Sequence, residues 1–242
     1  MSKQKLSLNK QLQTIIIAVF LSAFLFGAFF RGSFHSIDVG ISVWIPSIQS
    51  GVITVISKGF AIVFDTQSLA LLSLGVTAYL FIKNRRAEGL LLLGAMGGEA
   101  LLVGCIKDLV QSPRPLNGLV VDTGFSFPSG HTAGSIVFCG ALAFLAWHHW
   151  ERTRAHVSIG IGVAAVSSVV GFSRIYLNVH WFSDVLGGGM LGVFWLFFVI
   201  LVFQLLHYRV DFESERFRLI SLLFFILAIV VIAFIVGFGL ID

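Results

Sequence analysis

Charge is scarce in this 242-residue chain: Asp, Glu, Lys and Arg make up 12% of it, against roughly a quarter in a soluble domain. With 57% of residues hydrophobic, that scarcity excludes a water-soluble globular protein. Cysteine is rarer still, with Cys105 and Cys139 each inside an apolar run and outside any CxxC or Cys/His cluster, so neither a disulfide framework nor a zinc site is expected. The 16 Lys and Arg exceed the 12 Asp and Glu by a modest +4, and no basic run of the nucleic-acid-binding kind occurs. Polar linkers are missing too. Residues 1–242 therefore read as one integral membrane domain, with no internal repeat.

What is present instead is a series of long apolar runs. A helix needs roughly 20 residues to cross the hydrocarbon of a bilayer. Seven runs approach or reach that length: 14–30, 61–82, 89–106, 132–147, 157–172, 185–206 and 219–240. They lack the alternation of strands, and an open sheet cannot satisfy its backbone in lipid, so an all-α polytopic transmembrane bundle is predicted. The first run follows Lys3, Lys5 and Lys10 but precedes no A-x-A-type cleavage site, and is expected to stay as an anchor. Between the first two runs, Ile45, Ile48, Val52, Val55, Ile56 and Phe60 recur at helical spacing opposite Gln49, Ser50, Thr54 and Lys58, which predicts an interfacial helix on the outer rim.

Basic residues in short connections favour the cytoplasmic side. The N-terminus with Lys83, Arg85, Arg86, Arg152, Arg154, Arg209, Arg216 and Arg218 carries 11 of the 16, so a cytoplasmic N-terminus and, with seven spans, an external C-terminus are predicted. Arg31, Lys58, Lys107, Arg114 and Arg174 fall on the opposite side.

Three of those five belong to polar clusters at span ends: Lys107 to Pro115, Pro128-Ser-Gly-His131, and Ser173-Arg174 through His180 to Asp184. Phosphoryl transfer requires fixed cations, a nucleophile, an orienting carboxylate and a separate acid, and these clusters contain all four. The spacing of His180 and Asp184 predicts that they share a helical face, where the carboxylate accepts a hydrogen bond from one imidazole N–H and leaves the other nitrogen as a directed lone pair. Arg174 offers a planar fork for two phosphate oxygens. Pro128 and Gly130 open the fourth span, whose free N–H groups would face an anion, and His131 in its first turn could hold a proton near neutral pH. Taken singly, each cluster is as well explained by helix capping or by basic side chains reaching the membrane edge.

Together they resemble the signatures of the type 2 phosphatidic acid phosphatase superfamily, which comprises membrane lipid phosphatases and vanadium haloperoxidases. Those signatures are Lys, six residues, Arg-Pro; then Pro-Ser-Gly-His; then Ser-Arg, five residues, His, three residues, Asp. All are present in order, within a core of about 89–206. The resemblance implies His180 as nucleophile, Asp184 as its orienter, His131 as acid and then base, and Lys107, Arg114, Ser129, Gly130 and Arg174 as phosphate ligands. It implies a lipid phosphate or pyrophosphate substrate, with no cofactor, metal or obligate protein partner. The family core normally has six spans, so the seventh is a departure.

An extracytoplasmic site on the plasma membrane and the family's work in recycling the cell-wall carrier lipid favour undecaprenyl diphosphate. Phosphatidylglycerophosphate and phosphatidate are the alternative substrates, and transfer to another lipid alcohol the alternative reaction. The intact His131, His180 and Asp184 argue against a non-catalytic lipid-binding protein. Glu99, inside the third span, is expected to be a buried structural carboxyl. Gly94, Gly97, Gly98 and Gly187, Gly188, Gly189, Gly192 are expected to let helices approach closely. Trp147 and Trp150 suit an interfacial belt, and His148, His149 and His156 lie on the predicted cytoplasmic side.

Overall fold

The computed structural model describes residues 10–146 and 153–207. The predicted seventh span, Trp147, Trp150, His148 and His149 lie outside the described residues, as does the side chain of His156. The described residues form eight α-helices: α1 (Lys10–Phe29), α2 (His35–Trp44), α3 (Gly51–Val63), α4 (Thr66–Ile82), α5 (Arg86–Val110), α6 (Gly130–Ala146), α7 (Thr153–Tyr176) and α8 (Phe182–His207). No strand occurs among the described residues, as the sequence predicts. Four helices, α1, α5, α7 and α8, are long and apolar enough to cross a membrane over most or all of their length; the α3–α4 pair makes a fifth if counted as one bent span, and α6 is shorter.

Helix α8 is the centre of the bundle, with α1, α6 and α5 packed around it. Leu92 and Ala95 of α5, Val137 and Ala141 of α6 and Leu196 of α8 form the main core together with Leu69 of α4. Ile15, Leu71, Leu101 and Ile161 remain exposed on the outer faces, as side chains that meet lipid do.

Two expectations are corrected. The run 61–82 is not one helix: the chain bends by 52° between α3 and α4, where Asp65 caps α4 by accepting from the Gln67 amide at 3.0 Å. The segment 45–60 is not one interfacial helix either. Ile45–Ile48 is a 3₁₀ turn containing Pro46, and α3 begins only after Ser50. Its polar side faces inward. The Tyr176 hydroxyl donates to the Ser50 carbonyl at 3.1 Å, accepts from the Ser50 amide at 2.8 Å and meets Thr54 Oγ1 at 3.1 Å. Val52, Val55 and Ile62 face outward, each 68% exposed or more. The amphipathic pattern was visible, and the fully buried Tyr176 of α7 draws Ser50 and Thr54 of its polar face inward.

Glycines set the closest helix contacts. A Cβ on Gly188 of α8 would collide with the Ser129 carbonyl oxygen, one on Gly187 would meet the Phe127 ring, and one on Gly192 would lie 3.0 Å from Ala133. Gly98 likewise makes room for Trp195, whose indole donates to the Ala95 carbonyl at 2.7 Å. Gly94, Gly97 and Gly189 have nothing within 4 Å of such an atom, so close approach explains part of each run. Glu99 is 6% exposed beside Gly134 of α6, a buried position as expected.

Candidate active site

The third cluster is shaped by a turn rather than by a helical face. Asn178 adopts φ 54°, a left-handed conformation that asparagine tolerates, and reverses the chain after α7. The Ser42 hydroxyl of α2 donates to its side-chain oxygen at 2.8 Å. Helix α8 starts at Phe182, so His180 precedes it while Asp184 lies in its first turn. Asp184 reaches back to accept from the Trp181 amide at 2.8 Å, one half of a capping box. The turn nonetheless brings His180 Nδ1 to 3.5 Å from Asp184 Oδ2.

Arg114 fixes the tautomer. Its Nη1 lies 3.1 Å from His180 Nε2, and a guanidinium can only donate. Nε2 is therefore the lone pair, and the proton sits on Nδ1 facing Asp184. Burial first, then the charges of Arg114, Arg174 and Lys107, push the His180 imidazole well below the ordinary histidine range. The result is a neutral, directed imidazole, the state that a nucleophile needs.

Arg114 itself is held by carbonyls of the loop that it organises: Nε donates to Gly124, Nη2 to Thr123 and Nη1 to Val179 at 2.9–3.1 Å. Lys107 stands in the last turn of α5, which ends at Gln111 with φ 51°. The second cluster joins the third through the backbone, because the Ser129 amide donates to the Asp184 carbonyl at 3.0 Å. That amide is thus committed, and what Ser129 can offer an anion is its hydroxyl, which accepts from Thr132 at 3.1 Å. His131 Nε2 lies 3.2 Å from the Ala61 carbonyl and 3.6 Å from Asp65 Oδ1, at the break between α3 and α4.

Sequence reasoning missed Asp122, which bridges the two arginines. Its Oδ1 lies 2.9 Å from Arg114 Nη2, and its Oδ2 is hydrogen-bonded to Arg174 Nη2. Arg174 is 2% exposed, and its Nε is buried without a partner. Asp122, Arg174 and His131 line one cavity of about 460 Å³ that Lys58 and Asp65 also border. Asp38 was missed as well; it is buried in α2 and accepts from the Ser183 amide at 2.9 Å and hydroxyl at 2.6 Å. Neither carboxylate has a sequence signal, since each is a lone acid outside the three clusters, with Asp38 145 residues from Ser183 and Asp122 52 residues from Arg174. Among the described residues, no group of three or more His, Cys, Asp or Glu side chains is arranged to hold a metal ion.

Eight residues singled out from three separated stretches thus surround one end of α8, and the comparisons with known proteins agree on the class. The chain belongs to the PAP2 superfamily, whose family model matches residues 88–208. Over 205 residues it is 31% identical to phosphatidylglycerophosphatase B of Bacillus subtilis (strain 168), covering 82% of this chain and 97% of the relative. Dolichyldiphosphatase 1 of Homo sapiens is 34% identical over 111 residues, which is 40% of this chain and 46% of that protein. The crystal structure of a transmembrane PAP2 type phosphatidylglycerolphosphate phosphatase from Bacillus subtilis superposes with a TM-score of 0.71 at 27% identity, covering 82% of this chain and 98% of that one. The family expected from the three signatures is borne out, and the protein is a multi-pass membrane phosphatase.

Proposed function

We propose that the protein removes a phosphate from a membrane lipid on the extracytoplasmic face of the plasma membrane through a phosphohistidine, and that its substrate is undecaprenyl diphosphate. The observation that carries the chemistry is the placement of His180, with Nε2 3.1 Å from an Arg114 nitrogen that can only donate and Nδ1 3.5 Å from Asp184 Oδ2. His180 Nε2 attacks phosphorus and the bond to the lipid-side oxygen breaks. His131, whose imidazole is pushed well below the ordinary histidine range by burial and the neighbouring Arg174, takes up a proton as the negative charge of the bound phosphate offsets those cations, and gives it to that oxygen. A water then attacks phospho-His180, losing its proton to His131, and inorganic phosphate leaves with Nε2 restored. Lys107, Arg114, Arg174, the Ser129 hydroxyl and the backbone at Gly130 hold the phosphoryl oxygens. Those cations and the start of α6 supply the positive field that magnesium supplies in kinases, so the reaction runs without metal. Residues 1–242 act as one domain.

The diphosphate reading is supported by the external placement that the loop charges favour and by similarity to a dolichyldiphosphatase. Phosphatidylglycerophosphate is the second reading, favoured by the near full-length relative named for that activity. The test is phosphate release by purified protein in detergent with EDTA, offering undecaprenyl diphosphate, phosphatidylglycerophosphate and phosphatidate in parallel. Undecaprenyl diphosphate is expected to be fastest, and His180→Ala to lose all release. Release that persists in His180→Ala overturns the mechanism, a faster phosphatidylglycerophosphate reverses the substrate order, and turnover of lipid without free phosphate points to transfer.

A further inference from the structure

The orienting carboxylate has a partner that none of the three signatures contains. Asp184 is fully buried, and a buried carboxylate must be compensated on both oxygens. Oδ2 takes the Trp181 amide and faces His180, while Oδ1 lies 3.1 Å from Nη2 of Arg31. Arg31 comes from the turn after α1, 153 residues earlier in the chain and outside the stretch that the family model matches. Its guanidinium also lies 4.9 Å from the centroid of the Phe127 ring, just before Pro128. Seven residues on, Asp38 binds Ser183, so the segment 31–38 grips two successive residues in the first turn of α8.

Resting on the reading of His180 as nucleophile, we infer that Arg31 is a positioning residue for the reaction: it holds the Asp184 carboxylate, and through it the His180 ring, in line for attack. Arg31 lines a cavity of about 520 Å³ with His35, Asp38 and Trp181. That cavity shares no residue with the one lined by His131, Arg174 and Asp122. Arg31 thus acts behind the dyad rather than on the phosphate. Without it, Asp184 loses its guanidinium partner and keeps only the Trp181 amide and the Ser126 hydroxyl, and the Nδ1–H···Oδ2 contact, already 3.5 Å, is free to open.

The test is a double-mutant cycle on the full chain in detergent with the lipid phosphate that the wild type turns over fastest, comparing Arg31→Gln, Asp184→Asn and both together, with Arg31→Lys as the charge-retaining variant. Arg31→Gln is expected to lower kcat on the order of 10- to 100-fold, the scale of lost outer-shell partners, with KM within about twofold. The double variant is expected to be no slower than Asp184→Asn alone, and Arg31→Lys to recover part of the loss. Should Arg31→Gln fail to elute as a monodisperse species, the same cycle is run with Arg31→Lys. Losses that multiply in the double variant indicate a general structural role and overturn the inference, as does a rise in KM at unchanged kcat, which means contact with substrate. Wild-type kcat in Arg31→Gln beside a crippled Asp184→Asn overturns it alone; an unaffected Asp184→Asn overturns the reading of the dyad and this inference with it.

Discussion

Asp122 occupies the place where an anion would be drawn. Each of its carboxylate oxygens faces a different arginine, Arg114 and Arg174, as two oxygens of one phosphate would. An incoming phosphate must therefore compete with a tethered carboxylate. Asp122→Asn keeps the shape and removes the charge, and it is expected to tighten inhibition by inorganic phosphate on the order of tenfold, the equivalent of about 1.4 kcal/mol. Weaker inhibition in that variant would mean that Asp122 arranges the arginines for the substrate instead. Arg114 is similarly engaged, since its contact with His180 Nε2 covers the lone pair of the proposed nucleophile. Phosphate binding has to draw that guanidinium aside.

At the scale of elements, backbone contact between α6 and α8 fixes the site. The Ser129 amide binds the Asp184 carbonyl, and Gly188 lets the Ser129 carbonyl lie directly against α8. Gly188→Ala places a methyl group on a backbone atom that cannot swing away, and it is expected to cost about 1–3 kcal/mol or more in stability. Gly189→Ala meets nothing within 4 Å and gains helix propensity. Thermal unfolding of both variants in detergent, followed by loss of the monodisperse peak, checks the contrast; equal melting would remove the close-approach account of Gly188. What the sequence made legible at this scale follows from the nature of the signals. Apolar runs announced the helices, and three short motifs announced the clusters, because both are local. Asp38, Asp65 and Asp122 were invisible, and Arg31 was seen only as one more outward cation, because a lone charge carries no pattern and its meaning depends on a partner that the fold brings near. The bend at Asp65 and the inward polar face of α3 were hidden for the same reason, since Tyr176 decides which side of α3 is inside.

Across the whole molecule, the cations that break the loop-charge pattern gather at one end. Arg114 and Arg174 meet at Asp122, Arg31 meets Asp184, Lys58 borders the His131 cavity, and the charge of Lys107 acts on His180. In the proposed orientation that end is external, and catalysis there is the reason for cations that run against the positive-inside tendency of the other connections. A reporter inserted at Asn84 is accordingly expected in the cytoplasm, and one at Asn117 or after Asp242 outside. A cytoplasmic signal at Asn117 would reverse the proposed orientation, while a cytoplasmic signal after Asp242 would remove the seventh span and leave the site where it is.

Asp184 serves two purposes that are usually separate, capping α8 through the Trp181 amide and facing His180. A descendant of this protein that had abandoned catalysis would still need the cap, so its aspartate would outlive its activity. His180 starts no helix, and its loss would be the earlier sign. On the proposed mechanism, the histidine of the third signature is therefore a better marker of a working enzyme than the aspartate four residues after it.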